Sequence, residues 1–596
     1  MKELLTLVPY LRRHATLIGL GLLLVVVANV FSLATPYLIK EAIDALGRPD
    51  ANRAHLTHFA GLIVGVALIG GAARFGMRQL LNGVSRRVEM DLRDRFFEHL
   101  LRLDASFYAR MPTGEIMSRA TNDIQAVRMV AGPAYMYLVN TIVVSLFAIS
   151  LMIWIDPRLT LVAMIPIFAL PPVTLGFGRL IHERFEAIQE RFGTLSTLVQ
   201  ENFAGVRIIK AYGQEARQIA RFSAMAEDYL TRNVSLARVS ALFHPLLALF
   251  TGLALASALL VGGRRVADGA ITVGDFVAFM LYLGMLTWPM IALGWVVNLF
   301  QRGAASMRRI NLVLDAHPMI NEPDSPRNEF EPRGQIEFRN VSFRYPGTER
   351  EVLRNVSFQI PAGGMLALVG GTGSGKSTVV SLIVRLFDPT RGEILLDGVS
   401  IAELPLERLR AAVGVVPQDT FLFSETIRDN LGVGFEEADA GRAEQRIRSA
   451  ARIAQLDQTI QELPEGYDTP LGERGVNLSG GEKQRAALAR AIARRPTVLV
   501  LDDALSAVDT HTEAEILRGL RKLSGERTSV VVSHRVSSVA DADLILVLQN
   551  GEVVERGGHR ELLSRRGAYL GLLRRQILQE EFEDEEGVLA QASKGI

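Results

Sequence analysis

Cysteine is absent from the sequence, which excludes disulfide bonds and thiolate metal sites. Its 10 histidines form no zinc-type or non-haem-iron-type cluster, so oxidative chemistry on such ligands is not expected. Charge of one sign is missing as well. Lys and Arg number 65 against 64 Asp and Glu, a net of +1, and this balance gives no electrostatic footprint for nucleic acid. Lys2, Arg12 and Arg13 precede an apolar run as in a signal peptide, but the run is long and no small-residue cleavage site follows it. An uncleaved membrane entry is expected.

What the sequence has in quantity is apolar residues. They fill 49% of 596 positions, and the mean hydropathy of +0.21 is high for a soluble protein yet modest for one lying wholly in lipid. A chain this long exceeds one hydrophobic core, so a membrane part joined to a soluble part is expected. Six apolar runs approach the roughly 20 residues a helix needs to cross about 30 Å of hydrocarbon. They lie near Leu17 to Ile39, Leu56 to Ala73, Val130 to Ile155, Leu159 to Phe177, Ala241 to Gly262 and Phe276 to Phe300. Asp156, Pro157 and Arg158 alone separate the third and fourth, which forces a tight antiparallel hairpin.

Charged residues at helical spacing, Arg86 to Arg95 among them, mark long water-exposed helices between the second and third runs and again between the fourth and fifth. The arginines of the first stretch, continuing through Arg102, Arg110, Arg119 and Arg128, far exceed those of the short links. The positive-inside tendency puts that stretch and both termini in the cytoplasm. Pro36, Pro166, Pro171, Pro172, Pro245 and Pro289 fall inside the runs, as kinks or as hinges of a cavity. His58 and His244 are the main ionisable candidates deep in the runs, too few for a proton relay or an ion-selective pore.

The second half reads as a nucleotide engine. A proline-bearing linker, 317–334, leads into a domain spanning 335–575, followed by an acidic tail, 576–596, read as a solvated end. The strand Met365 to Val369 runs into Gly370-Gly371-Thr372-Gly373-Ser374-Gly375-Lys376-Ser377 and then a helix starting at Thr378, the P-loop pattern in strand-loop-helix context. Its backbone N–H groups close on phosphates, Lys376 brings charge to the β and γ groups, and Ser377 offers a hydroxyl to Mg2+. The apolar run Val498 to Leu501 ends in Asp502, a carboxylate suited to Mg2+. Between them, Leu478-Ser479-Gly480-Gly481-Glu482 opens an Ala- and Arg-rich helix with exposed N–H groups, an anion site.

These three motifs in this order resemble the nucleotide-binding domain of an ABC transporter, and the membrane half resembles the exporter type with six long helices. The fold class implied is an α-helical membrane domain, 1–316, fused to an α/β P-loop ABC domain. The resemblance implies ATP and Mg2+ as cofactors and coupling-loop tips near Phe107 to Glu115 and Phe203 to Tyr212. It implies adenine stacking for Tyr345, a magnesium-linked role for Gln418, communication between opposed sites for Asp509, and γ-phosphate contact for His534. It also implies that each ATP is closed between one chain's P-loop and the other chain's signature, Leu478 to Glu482.

One departure bears on the partner. Where the family carries a catalytic glutamate after the strand-ending aspartate, this sequence has Asp503, one methylene shorter. Misplacement of a base by roughly 1 Å can cost about a hundredfold in rate. Hydrolysis on this chain's own P-loop is therefore expected to be weak, and the expected partner is a second ABC half-transporter that carries the glutamate. The pairing resembles the heterodimeric bacterial multidrug exporters and, through them, the antigen-peptide transporter. The cargo expected is an amphipathic drug, lipid or peptide, the location the cytoplasmic membrane. Alternatives are a homodimeric lipid flippase and a nucleotide-gated channel or regulator.

Overall fold

The computed structural model describes residues 2–47, 53–323, 327, 330–435, 437, 439–472, 475, 477–522, 527–536 and 539–578. The acidic stretch Glu580 to Glu586, read above as a solvated end, lies outside them. The chain divides into two compact units, one of residues 1–102 and 112–316, the other of 103–111 and 317–596.

The first unit is built on six helices long and apolar enough to cross a membrane: α1 (Ala15–Leu46), α2 (Arg53–Arg102), α3 (Thr113–Ile155), α4 (Pro157–Ala204), α5 (Glu215–Ala267) and α6 (Val273–Leu314). Each contains one of the apolar runs and continues well past it. The charged stretches between runs are thus extensions of the spanning helices rather than separate helices. The hairpin between α3 and α4 is tighter than three linking residues require. Asp156 alone breaks the helix, its carboxylate accepting from the N–H groups of Arg158 and Leu159 at 2.8 and 2.9 Å, which caps α4. At the head of α6, Thr272 and Asp275 form a reciprocal capping box. Helix α4 is interrupted at Ala169, just before Pro171 and Pro172, whereas Pro36, Pro245 and Pro289 lie within unbroken helix. Helix α3 carries two π-helical turns, Arg119–Asp123 and Val130–Ala134, the second containing Pro133.

The described residues of the second unit form two sheets. Strands β1 (Ile336–Phe343), β2 (Leu353–Ile360), β4 (Arg391–Leu396) and β5 (Val399–Ser400) form an antiparallel sheet in the order β2-β1-β4-β5. The other sheet has the order β10-β9-β3-β8-β7-β6, with β3 (Met365–Gly370), β6 (Val413–Val416), β7 (Val498–Asp502), β8 (Thr528–Val532), β9 (Leu544–Gln549) and β10 (Glu552–Gly557). Its inner strands are parallel and buried on both faces, which is why they read as continuous Val and Leu runs rather than alternating ones. One hydrophobic core lies between the two sheets, and a second packs the other face of the parallel sheet. The stretch 103–111, which a reading by hydropathy leaves with the membrane half, belongs to this unit. Asp104 caps the short helix Ala105–Arg110 through the Ser106 N–H at 2.9 Å, and the same carboxylate accepts from the backbone N–H of Met319.

Candidate nucleotide site

In an open parallel sheet, ligands bind beyond the carboxyl ends of the strands. Strand order here sets four such ends side by side: β3, β8, β7 and β6. Leu368 of β3 pairs with Val532 of β8, Val532 with Asp502 of β7, and Leu501 of β7 with Val416 of β6. Strands as far apart in the sequence as β3 and β8, paired at Leu368 and Val532, therefore deliver their following loops to one edge. The result is a cavity of about 170 Å³ lined by Thr372, Gly373, Ser374, Gly375, Lys376, Ser377 and Thr378, with Gln418, Asp502, Asp503 and His534.

The loop after β3 passes into helix α7 (Lys376–Ile383) through Gly375, whose φ of +104° and close approach to Leu353 and the Val352 carbonyl leave no room for a side chain. Lys376 is buried, and its Nζ donates to the carbonyls of Gly370 and Gly371 at 2.9 Å each. Burial lowers its pKa, against the opposing pull of Asp502 and Asp503. The hydroxyl of Ser377 donates to Asp502 at 3.2 Å, so two hard oxygen donors stand together. Burial raises the pKa of Asp502, the Ser377 hydroxyl opposes this, and the neighbouring Asp503 adds to it. Ser374 Oγ is buried in the loop with no hydrogen-bond partner among the described residues, a polar atom that calls for a ligand. The cradle suits a phosphate chain with a divalent cation at its Ser377 and Asp502 end.

Asp503 adopts a left-handed backbone, φ +48°, uncommon for a residue other than glycine. Its N–H donates to the Val532 carbonyl at 3.0 Å, and its own carbonyl accepts from Ser506 Oγ at 3.0 Å. The backbone at Asp503 is thus hydrogen-bonded on both sides. His534 and Gln418 are both exposed, each two residues past the end of its strand, β8 and β6.

Tyr345 is not among the residues lining this cavity. Its hydroxyl lies 3.1 Å from Thr378 Oγ1, and its ring packs edge-on against Phe343 and Phe387 in a neighbouring cavity of about 420 Å³.

The signature residues do not line the P-loop cavity either. Ser479 caps α8 (Gly480–Ala493), accepting from the Glu482 N–H at 3.3 Å, while the Glu482 carboxylate accepts from the Ser479 N–H at 2.7 Å. Glu482 is therefore the return half of a capping box, a role the sequence shows as Ser-x-x-Glu. Leu478 is buried beside it. Replacing Glu482 by glutamine, which can serve the same position, is expected to leave thermal stability unchanged. Alanine there is expected to cost about 0.5–1 kcal/mol, read as a lower melting temperature of the exporter. Gln484, which sequence reasoning passed over, joins α8 to the next loop: it donates to Ser506 Oγ at 3.0 Å and accepts from the Ala507 N–H at 2.9 Å. Asp509 closes that loop by capping the Thr512 N–H, at the start of α9 (Thr510–Lys522), and this bond holds its carboxyl below the usual range.

Residues 18–290 match the ABC transporter transmembrane region family, and residues 353–506 the ABC transporter family. The multidrug resistance-like ATP-binding protein MdlA of Escherichia coli is 37% identical over 577 residues, 96% of this chain and 97% of its own. An ATP-dependent lipid A-core flippase of Syntrophus aciditrophicus is 35% identical, over 97% of this chain and 95% of its own. Among solved structures, a bacterial Atm1-family ABC exporter with ATP bound superposes with a TM-score of 0.78 at 31% identity, covering 95% of this chain and 98% of that one. The chain belongs to the ABC transporter family. Its six apolar helices and fused ABC ATPase domain give it the exporter fold, that of a multi-pass inner-membrane protein.

Proposed function

We propose that this chain is one half of a heterodimeric exporter that moves amphipathic drugs, lipids or peptides across the cytoplasmic membrane at the expense of ATP, with both termini in the cytoplasm. Its P-loop holds ATP, with Lys376 on the β and γ phosphates, and Tyr345 stacks on adenine. Ser377, Asp502 and Gln418 hold Mg2+, which when bound neutralises charge on those phosphates. Leu478 to Glu482 complete the partner's site, where the N-terminus of α8 meets the γ-phosphate.

Asp503 carries the heterodimer reading. It occupies the place of the base beside His534, and a carboxylate one methylene short, on a backbone fixed at Val532 and Ser506, fails to reach the attacking water. The signature, by contrast, is nearly intact, keeping Ser479 and Gly481 with Glu482 where glutamine is usual in the family, and it is capped. Catalysis then falls to a partner P-loop backed by a glutamate. In the assembled exporter, Asp503→Asn is expected to leave steady-state phosphate release within about twofold of the unaltered protein, whereas Glu→Gln at the partner's base abolishes it. Equal losses from the two substitutions would sink this reading.

Full-length similarity to lipid A-core flippases supports a second reading, two copies of this chain moving a lipid. Purifying the tagged chain separates the two. A second ABC chain accompanying it supports the heterodimer; a pure homodimer that hydrolyses ATP supports the flippase.

A further inference from the structure

A smaller cavity of about 90 Å³ adjoins the P-loop cavity. Asp503, Val532 and His534 line both, so they form the wall between them. Side chains beside a void lack packing contacts on that face, and their placement then rests on directed bonds.

The loop after β8 shows where those bonds run. The Ser533 N–H donates to the Leu368 carbonyl at 3.3 Å, the Arg535 N–H to Ser533 Oγ at 2.9 Å, and the Val536 N–H to Gln576 Oε1 at 2.7 Å. The Arg535 guanidinium joins this loop to α9, donating to the Glu513 carboxylate at 2.6 Å, and both residues line the smaller cavity. Glu513 is 6% exposed. Well-packed apolar side chains often serve stability as well as a buried ion pair or better, so stability alone does not call for this one. The helix that carries Glu513 is itself anchored. Its N–H donates to the Asp509 carbonyl at 2.9 Å, and Gln484 holds the preceding loop on α8 through Ser506 and Ala507. A guanidinium pinned to this frame fixes the backbone on one side of His534, as Ser533 fixes it on the other.

We infer that Glu513 and Arg535 are positioning residues for His534, a buried ion pair that holds its imidazole toward the γ-phosphate of ATP on this chain's P-loop. The inference rests on the reading of His534 as the γ-phosphate contact and names what keeps it there. Neither residue of the pair touches nucleotide; each acts through the histidine between Ser533 and Arg535.

The test uses the exporter with its copurifying second chain, kept on ice to prevent turnover. A photoreactive ATP analogue labels the P-loops, and protection of this chain from label by MgATP or MgADP gives an affinity for each. ADP lacks the γ-phosphate, so a fault confined to His534 moves the ATP value alone. His534→Ala, Glu513→Gln and Arg535→Gln are each expected to weaken ATP about tenfold and ADP by less than about twofold. Arg535→Lys, which keeps a cation for Glu513, restores part of the loss. Added to His534→Ala, Glu513→Gln has no further effect, because both act on one contact. Where a single variant fails to assemble, Glu513→Gln with Arg535→Gln leaves no unpaired charge inside and is expected to show the same selective loss. Equal weakening of ATP and ADP overturns the inference, since it reports damage to the fold. So does unaltered ATP binding in Glu513→Gln while His534→Ala weakens it, an outcome that leaves the γ-phosphate reading standing. If His534→Ala itself leaves ATP binding unchanged, that reading fails and the inference with it.

Discussion

Gly481→Ala in this chain is expected to lower ATP turnover of the assembled exporter about a hundredfold, measured as steady-state phosphate release. A methyl group at that position meets the Ala507 carbonyl at 2.7 Å, a backbone atom that cannot turn aside. Relief requires α8 to move off the loop to which Gln484 clamps it through Ser506 and Ala507. The N–H groups at the head of α8 then leave the position where a γ-phosphate on the opposite chain would meet them. Because the competent site of the proposed heterodimer is the one this signature completes, no second site compensates. Gly480→Ala is the control: its added methyl meets only the Ala507 side chain, at 3.8 Å, and a loss of turnover is expected to be much smaller.

Lys376→Ala is expected to weaken ATP binding at this chain's own P-loop by roughly ten- to a hundredfold, the worth of hydrogen bonds to a charged group. Without phosphate, its ammonium is held by the carbonyls of Gly370 and Gly371 in a buried position, with Asp502 and Asp503 supplying the nearest negative charge. Nucleotide displaces no competing ion pair when it arrives, so the lysine's charge is fully available to it. Equilibrium binding of ATP to the assembled exporter should then show one tight site in place of two. Two tight sites after this substitution would mean that Lys376 does not face the phosphates.

Much of this was legible in the sequence because the relevant patterns are local. The six apolar runs, the P-loop between a strand and a helix, and the strand ending in Asp502 each announce themselves within a short window. What was not legible depends on pairing. That Asp502, His534 and Gln418 share an edge follows from the strand order β3-β8-β7-β6, which no window of sequence states. Gln484 ties α8 to Ser506 and Ala507, 22 and 23 positions further on, which no short stretch of sequence shows. The stretch 103–111 joins the soluble unit through Asp104, whose bond to Met319 spans 215 positions.

The central claim is that ATP is hydrolysed at one of two sites, on the partner's P-loop and under this chain's signature. Vanadate trapping of a photoreactive ATP analogue in the purified exporter tests it most directly, since trapping follows turnover and the label reports which chain's P-loop held the nucleotide. The account predicts label on the partner chain and almost none on this one, with Asp503→Glu restoring label here. Equal trapping on both chains, or trapping on this chain alone, would contradict it.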